Sequence, residues 1–151
     1  MTMTHEKAIG VSVLLVEDNE IDVEVTRRVI EQAGARVVLR VARDGAEALE
    51  ILAGRGEAAA PFDLVLLDLR LPTIDGPEVL RRLKNDPDLC AIPVAILTGQ
   101  AGGKVMLECI ALGSNMFFVK PITPADALHV IDAVEQYWAL MEQLMQRPRP
   151  P

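Results

Sequence analysis

Leu64-Val65-Leu66-Leu67-Asp68 decides the fold: four apolar residues in succession, closed by one carboxylate. A run this short, apolar at every position rather than at alternate ones, reads as a strand buried on both faces, as in parallel sheets covered by helices on each side. Working outward, three more runs end in the same manner. Residues 11–16 open onto Glu17-Asp18, residues 94–97 onto Thr98, and residues 116–119 onto Lys120-Pro121. In one parallel sheet the carboxyl ends of the strands share a single crevice, which here would gather three carboxylates, a hydroxyl and an ammonium. That inventory suits a metal ion and a phosphoryl group.

Between these runs the apolar spacing lengthens to that of helices. Five strands, near 11–16, 36–42, 62–67, 92–98 and 115–119, alternate with five helices, the α/β pattern of repeated βαβ units. Asn19 with Asp22, Asp44 with Glu47, Asp75 with Glu78 and Thr123 with Asp126 each place a capping side chain three residues before an acid, and Pro124 suits a first helical position. Gly34, Gly54 and Gly113 mark helix ends. Residues 53–61, rich in Gly and Ala, read as a mobile loop without a functional role.

The last helix is longer than a sheet of this size needs. Beyond the core stripe of Ala127, Leu128, Val130, Ile131 and Val134, its apolar spacing continues through Tyr137, Trp138, Met141, Leu144 and Met145. Over residues 123–146 it would span roughly 35 Å at about 1.5 Å per residue. The surplus stripe is expected to meet a partner, since Tyr and Trp are enriched at interfaces; the alternative is that it folds back on its own domain.

The 151 residues suit one domain: residues 1–146, with a core over 11–134, a helical extension over 135–146 and a disordered tail over 147–151. Half the residues are hydrophobic, yet no run reaches the ~20 that a membrane-spanning helix requires, and residues 1–10 lack a signal-like apolar core. A net charge of −7 and a pI near 4.8 oppose direct nucleic-acid binding. Cys90 and Cys109 have no Cys-x-x-Cys or His partner nearby, so a reducing compartment, the cytoplasm, is expected.

Glu17, Asp18 and Asp68 brought together would repel by about 4 kcal/mol per close pair at an effective dielectric near 20, so a cation must neutralise them. Hard oxygen donors in this number favour Mg²⁺. Asp68 would then serve as a nucleophile toward a phosphoryl donor, with Lys120 and the metal offsetting charge and the Thr98 hydroxyl donating a hydrogen bond. Taken singly, each residue has a plainer explanation: a strand-ending Asp as a turn residue, an acidic pair as helix-dipole compensation, Lys120 as a solvated charge. Taken together, four strands of one pattern each deliver a group that the same reaction needs.

The order and spacing of Leu15-Val16-Glu17-Asp18-Asn19, Leu66-Leu67-Asp68-Leu69, Leu71-Pro72, Asp75-Gly76, Leu97-Thr98 and Lys120-Pro121 resemble the receiver domain of two-component response regulators, from about Val11 to Val134. The resemblance implies a flavodoxin-like, doubly wound five-stranded parallel sheet of order 2-1-3-4-5. It implies that Asp68 accepts a phosphoryl group from a histidine kinase or phosphotransfer protein. Asp18, Asp68, the main-chain carbonyl of Arg70 and, largely through water, Glu17 would hold Mg²⁺. Thr98 and Lys120 would contact the phosphoryl group, the Lys120-Pro121 bond would be cis, and Phe117 would be the aromatic switch, with Phe118 beside it able to take either role. Arg70 and Gln100, two beyond Asp68 and Thr98, are expected to tune phosphoryl lifetime, Arg70 by shielding the acyl phosphate and Gln100 by orienting water.

A finer resemblance, carried by residues 16–23 and by Tyr137-Trp138, is to small stand-alone regulators of bacterial phytochrome histidine kinases, and implies a homodimer through the last helix, on a face shared with the fourth helix and the fifth strand. No effector domain is expected after residue 146, so the signal would leave by contact. The alternatives are a receiver-fold interaction module acting without phosphorylation and a phosphate-handling enzyme. Retention of every reactive group argues against the first. Against the second, Arg70 stands where a haloacid-dehalogenase-type phosphatase needs an acid, and Glu17-Asp18-Asn19 would repel a bound nucleotide phosphate.

Overall fold

The computed structural model of the chain describes residues 10–54, 62–99 and 103–145. In order these form β1 (Val11–Val16), α1 (Glu20–Gln32), β2 (Val37–Ala42), α2 (Gly45–Leu52), β3 (Leu64–Asp68), α3 (Gly76–Asn85), β4 (Val94–Thr98), α4 (Gly103–Ala111), β5 (Met116–Val119) and α5 (Pro124–Met145). All strand pairs are parallel, in the order β2-β1-β3-β4-β5. The expected topology and the five helices are therefore present. Most of the loop over 53–61, Gln100 and the tail over 147–151 lie outside the described residues, as do residues 1–9.

Both faces of the sheet are covered, as the unbroken apolar strands require. Leu14, Val16, Val65, Leu67, Val94 and Ile96 pack with Ala48, Ile51, Val79, Leu80, Leu83 and Cys109 of α2, α3 and α4. Alternate residues, Val13, Leu15, Leu64, Leu66, Ala95 and Leu97, pack with Val23 and Ile30 of α1 and with Ala127, Val130, Ile131, Val134 and Trp138 of α5. Each fully buried Leu or Val side chain contributes roughly 1.5–3 kcal/mol. This alternation separates the two adjacent phenylalanines: Phe117 packs on the α2–α3–α4 side and Phe118 on the α1–α5 side.

The caps act largely as expected. Asp44 accepts from the Glu47 N–H (2.7 Å) and Asp75 from the Glu78 N–H (3.0 Å). Thr123 and Asp126 cap reciprocally. Asn19 accepts from the Ile21 and Asp22 N–H groups, but the Asp22 carboxylate is directed elsewhere. At the N-terminal edge of the sheet, β3 begins later than the apolar pattern implies because Asp63 is a buried tether. Its carboxylate accepts from the Ser12 N–H at 2.9 Å, and its own N–H donates to the Ser12 carbonyl at 2.7 Å.

One expectation is corrected at α5. Trp138 is 2% exposed, and its indole Nε1–H donates to the Asp63 carbonyl at 2.9 Å. The Tyr137 hydroxyl donates to the Ala91 carbonyl at 2.6 Å, and Met141 packs partly on the same core. These residues seal the end of their own domain, because the carbonyls entering β3 and β4 satisfy the polar tips of both aromatics. Only Leu144, at 69% exposure, remains solvent-facing among the expected partner residues with described side chains, joined by Leu140 at 52% and by Leu128, which was expected in the core stripe but is 49% exposed. The side chain of Met145 lies outside the described residues.

Candidate functional site

Strand register explains how distant residues meet. Val16 pairs with Leu67, Asp68 with Leu97, and Thr98 with Val119, so Glu17, Asp68, Thr98 and Lys120 lie along the carboxyl rim of four adjoining strands. The Lys120 N–H donates to the Thr98 carbonyl (2.8 Å) and the Glu17 N–H to the Ala42 carbonyl (2.9 Å), which extends both pairings one step past the strand ends. The crevice falls beside β1 and β3, where the chain switches from building one way across the sheet to the other, the usual ligand position in doubly wound folds. The Lys120-Pro121 peptide bond is cis.

The crevice has a volume of about 820 Å³ and is lined by Glu17, Asp18, Asp22, Asp68, Asp75 and Glu108 against two cations, Arg70 and Lys120. Glu17, Asp68 and Thr98 are buried, at 1%, 6% and 8% exposure, whereas Asp18 and Arg70 are exposed. Lys120 Nζ lies 2.6 Å from Glu17 Oε1, 3.1 Å from Asp22 Oδ2 and 3.2 Å from Asp68 Oδ1. Glu17 also accepts from the Asn19 N–H at 3.2 Å.

Burial pushes the Glu17 carboxyl above the usual glutamate range; the Lys120 hydrogen bond opposes this and the Asp68 charge adds to it. Burial disfavours the Lys120 ammonium, but hydrogen bonds to Glu17 and Asp22 and the charge of Asp68 prevail and hold its pKa above the ordinary lysine value. Lys120 is therefore a fixed cation at neutral pH.

Glu17, Asp18 and Asp68 each offer a carboxylate oxygen within 4.8 Å of the other two. With three hard oxygen donors and more carboxylates than cations around the crevice, the residues fit a divalent metal ion. Gly76 makes this compact arrangement possible. A Cβ there would stand 2.6 Å from the Asp68 carbonyl oxygen and from Leu69 Cα, so α3 can start against the end of β3 only without a side chain.

The structure thus brings Glu17, Asp18, Asp68, Arg70, Thr98 and Lys120 into one crevice. Phe117 stands on β5 three residues before Lys120, and half-buried. Sequence reasoning missed Asp22. An acid in the first turn of a helix has a sufficient local explanation in the dipole, and nothing in its spacing reports a contact with a lysine 98 positions away.

Similarity to known proteins agrees with this geometry. The response regulator receiver domain family matches residues 13–132. The probable methanogenesis regulatory protein FilR2 of Methanothrix harundinacea is 34% identical over 127 residues, covering 83% of this chain and 82% of that protein. The response regulator Rcp1 of Synechocystis is 33% identical over 129 residues, covering 83% and 87%, and its Mn²⁺-bound form superposes with a TM-score of 0.68 over 84% of this chain and 93% of that one. The bacteriophytochrome response regulator AtBRR has a TM-score of 0.74 at 37% identity, over 84% and 94% of the two chains. By its fold, its acidic crevice and this match over most of its length, the chain belongs to the response regulator receiver domain family, whose members are signalling proteins rather than classical enzymes.

Proposed function

We propose that this chain accepts a phosphoryl group on Asp68 from a sensor histidine kinase or a phosphotransfer protein, and signals through altered protein contacts. One observation carries the reading: the buried Asp68 carboxylate, 3.2 Å from Lys120 Nζ, shares a crevice with Glu17 and Asp18 oxygens in metal-binding proximity. A carboxylate oxygen of Asp68 attacks phosphorus as the bond to the donor nitrogen breaks, leaving an acyl phosphate on the protein and a neutral imidazole on the donor once a proton is taken up. Lys120 is the cation already in place against the developing charge, and the Thr98 hydroxyl donates to a phosphoryl oxygen. Glu17, Asp18, Asp68 and the Arg70 carbonyl would hold Mg²⁺, which supplies positive charge and water-filled positions that phosphoryl oxygens can occupy. The added charge of about −1.5 to −2 draws Thr98 and Lys120 inward and leaves space that Phe117 can fill. Acyl-phosphate hydrolysis at the same site returns the protein to its starting state.

The similarity to the bacteriophytochrome response regulator AtBRR supports a phytochrome-type histidine kinase as the donor. The two free cysteines support a cytoplasmic setting, and among the described residues no helix is long and apolar enough to cross a membrane. Among the described side chains of α5, the large hydrophobics Leu128, Leu140 and Leu144 are exposed, and the last two, one turn apart at the far end of the helix, would form the homodimer contact there. Incubation with Mg²⁺ and a small acyl-phosphate donor, followed by native mass spectrometry, tests the chemistry. One phosphoryl group should be gained by the wild type, should not be gained when Mg²⁺ is left out, and should be missing in Asp68→Asn; equal uptake by Asp68→Asn would refute it.

A further inference from the structure

The Asp22 carboxylate leaves its own helix. Although it lies in the first turn of α1, the N-terminal cap there is made by Asn19, whose side chain accepts from the Asp22 N–H, and the Asp22 carboxylate reaches Lys120 Nζ at 3.1 Å. Lys120 Nζ has three carboxylate neighbours, Glu17, Asp22 and Asp68. Two of these, Glu17 and Asp68, also belong to the trio whose oxygens converge within 4.8 Å, and Asp22 does not. The lysine and a metal ion therefore draw on the same two carboxylates.

We infer that Asp22 is a positioning residue: it takes a share of the Lys120 ammonium from outside the metal-binding trio and so lightens the lysine's draw on Glu17 and Asp68. This rests on the phosphoacceptor reading above and adds to it a residue that touches neither metal nor phosphoryl group. The physical reason is competition for lone pairs. A carboxylate oxygen that accepts a short hydrogen bond from an ammonium is a poorer donor to a metal, because both draw on the same negative charge. A third carboxylate, half-exposed and outside the trio, takes up part of the ammonium's charge and leaves more of the charge on Glu17 and Asp68 for a metal ion.

A double-mutant cycle between Asp22→Asn and Lys120→Met, read by the Mg²⁺ dissociation constant in calorimetry without any phosphoryl donor, tests the inference. In the wild-type background Asp22→Asn should weaken Mg²⁺ binding roughly threefold or more, and in the Lys120→Met background it should have little effect, the departure from additivity being the sign of action through the lysine. Asp22→Glu should restore much of the loss. Glu108→Gln, which removes a carboxylate from the same crevice, measures the nonspecific charge effect. Equal weakening by Asp22→Asn in both backgrounds, or no more than Glu108→Gln causes, overturns the positioning role while leaving the phosphoacceptor reading intact. Absence of Mg²⁺ binding in the wild type, with no phosphoryl uptake, overturns both.

Discussion

Arg70 and Gln100 are the residues through which this receiver is expected to set its own clock. Arg70 is exposed at the crevice rim, within the lining shared with Asp68, and a long cation lying across an acyl phosphate shields it from water. Arg70→Ala should therefore shorten the half-life of the phosphorylated protein, and Gln100→Ala should lengthen it if the amide orients the attacking water. Loss of bound phosphoryl group over time, followed by intact mass, decides; unchanged lifetimes in both variants would remove the idea. Tyr137 supports a different prediction. Burial, with a smaller contribution from Cys90, raises its phenol above the usual tyrosine range, so the folded state holds that proton more tightly than the unfolded chain does. A raised pKa of this sign means the stabilisation is complete below the unfolded value of about 10 and is lost as pH rises through the folded value. Tyr137→Phe should cost about 0.5–1.5 kcal/mol at pH 7 through the lost bond to the Ala91 carbonyl. The gap between the variants should narrow above pH 10 in urea denaturation, and a constant gap would show that the phenol is not what titrates.

At the scale of elements, four of the five strands were legible because each is an apolar run closed by a polar residue, the exception being β2, whose run is broken by the charged Arg40, and the carboxyl rim follows from that pattern once the strands are parallel. Register then fixes which rim residues are neighbours, and Glu17, Asp68, Thr98 and Lys120 fell together for that reason. The opposite edge was not legible. Whether the stripe on α5 covers a partner or its own sheet depends on where the carbonyls of Asp63 and Ala91 point, and no helical periodicity carries that information. Asp63 was read as part of a strand because a single polar residue between Phe62 and Leu64 does not interrupt an apolar run. The Asp75-Gly76 pair is the element-level feature with the sharpest consequence. Gly76→Ala forces the start of α3 away from the end of β3, since the added carbon would meet main-chain atoms of Asp68 and Leu69 that no rotamer change can move. A loss of about 1–3 kcal/mol is expected from such overpacking, measured by chemical denaturation. Phosphoryl uptake should fall as well, because the displaced main chain carries Asp68.

For the whole molecule, the open question is which surface passes the signal on. With Trp138 buried and Tyr137 half-buried against their own domain, the apolar area left on α5 is smaller than its sequence implies, and a homodimer at the far end of that helix would depend on Leu140 and Leu144. A net charge of −7 on each copy works against self-association at low ionic strength, so a stable pair needs apolar contact at the centre of the interface and should tighten as salt screens the repulsion. Replacing both leucines by Glu places further like charges at that centre while leaving the crevice untouched. Sedimentation equilibrium should then show the wild type associating more strongly at higher salt and the Leu140→Glu, Leu144→Glu variant monomeric throughout. Uptake of a phosphoryl group from a small donor should be equal in the two proteins, since the reactive residues lie at the rim of the sheet and the leucines near the far end of α5. A variant that dimerises as well as the wild type would move the contact to another face.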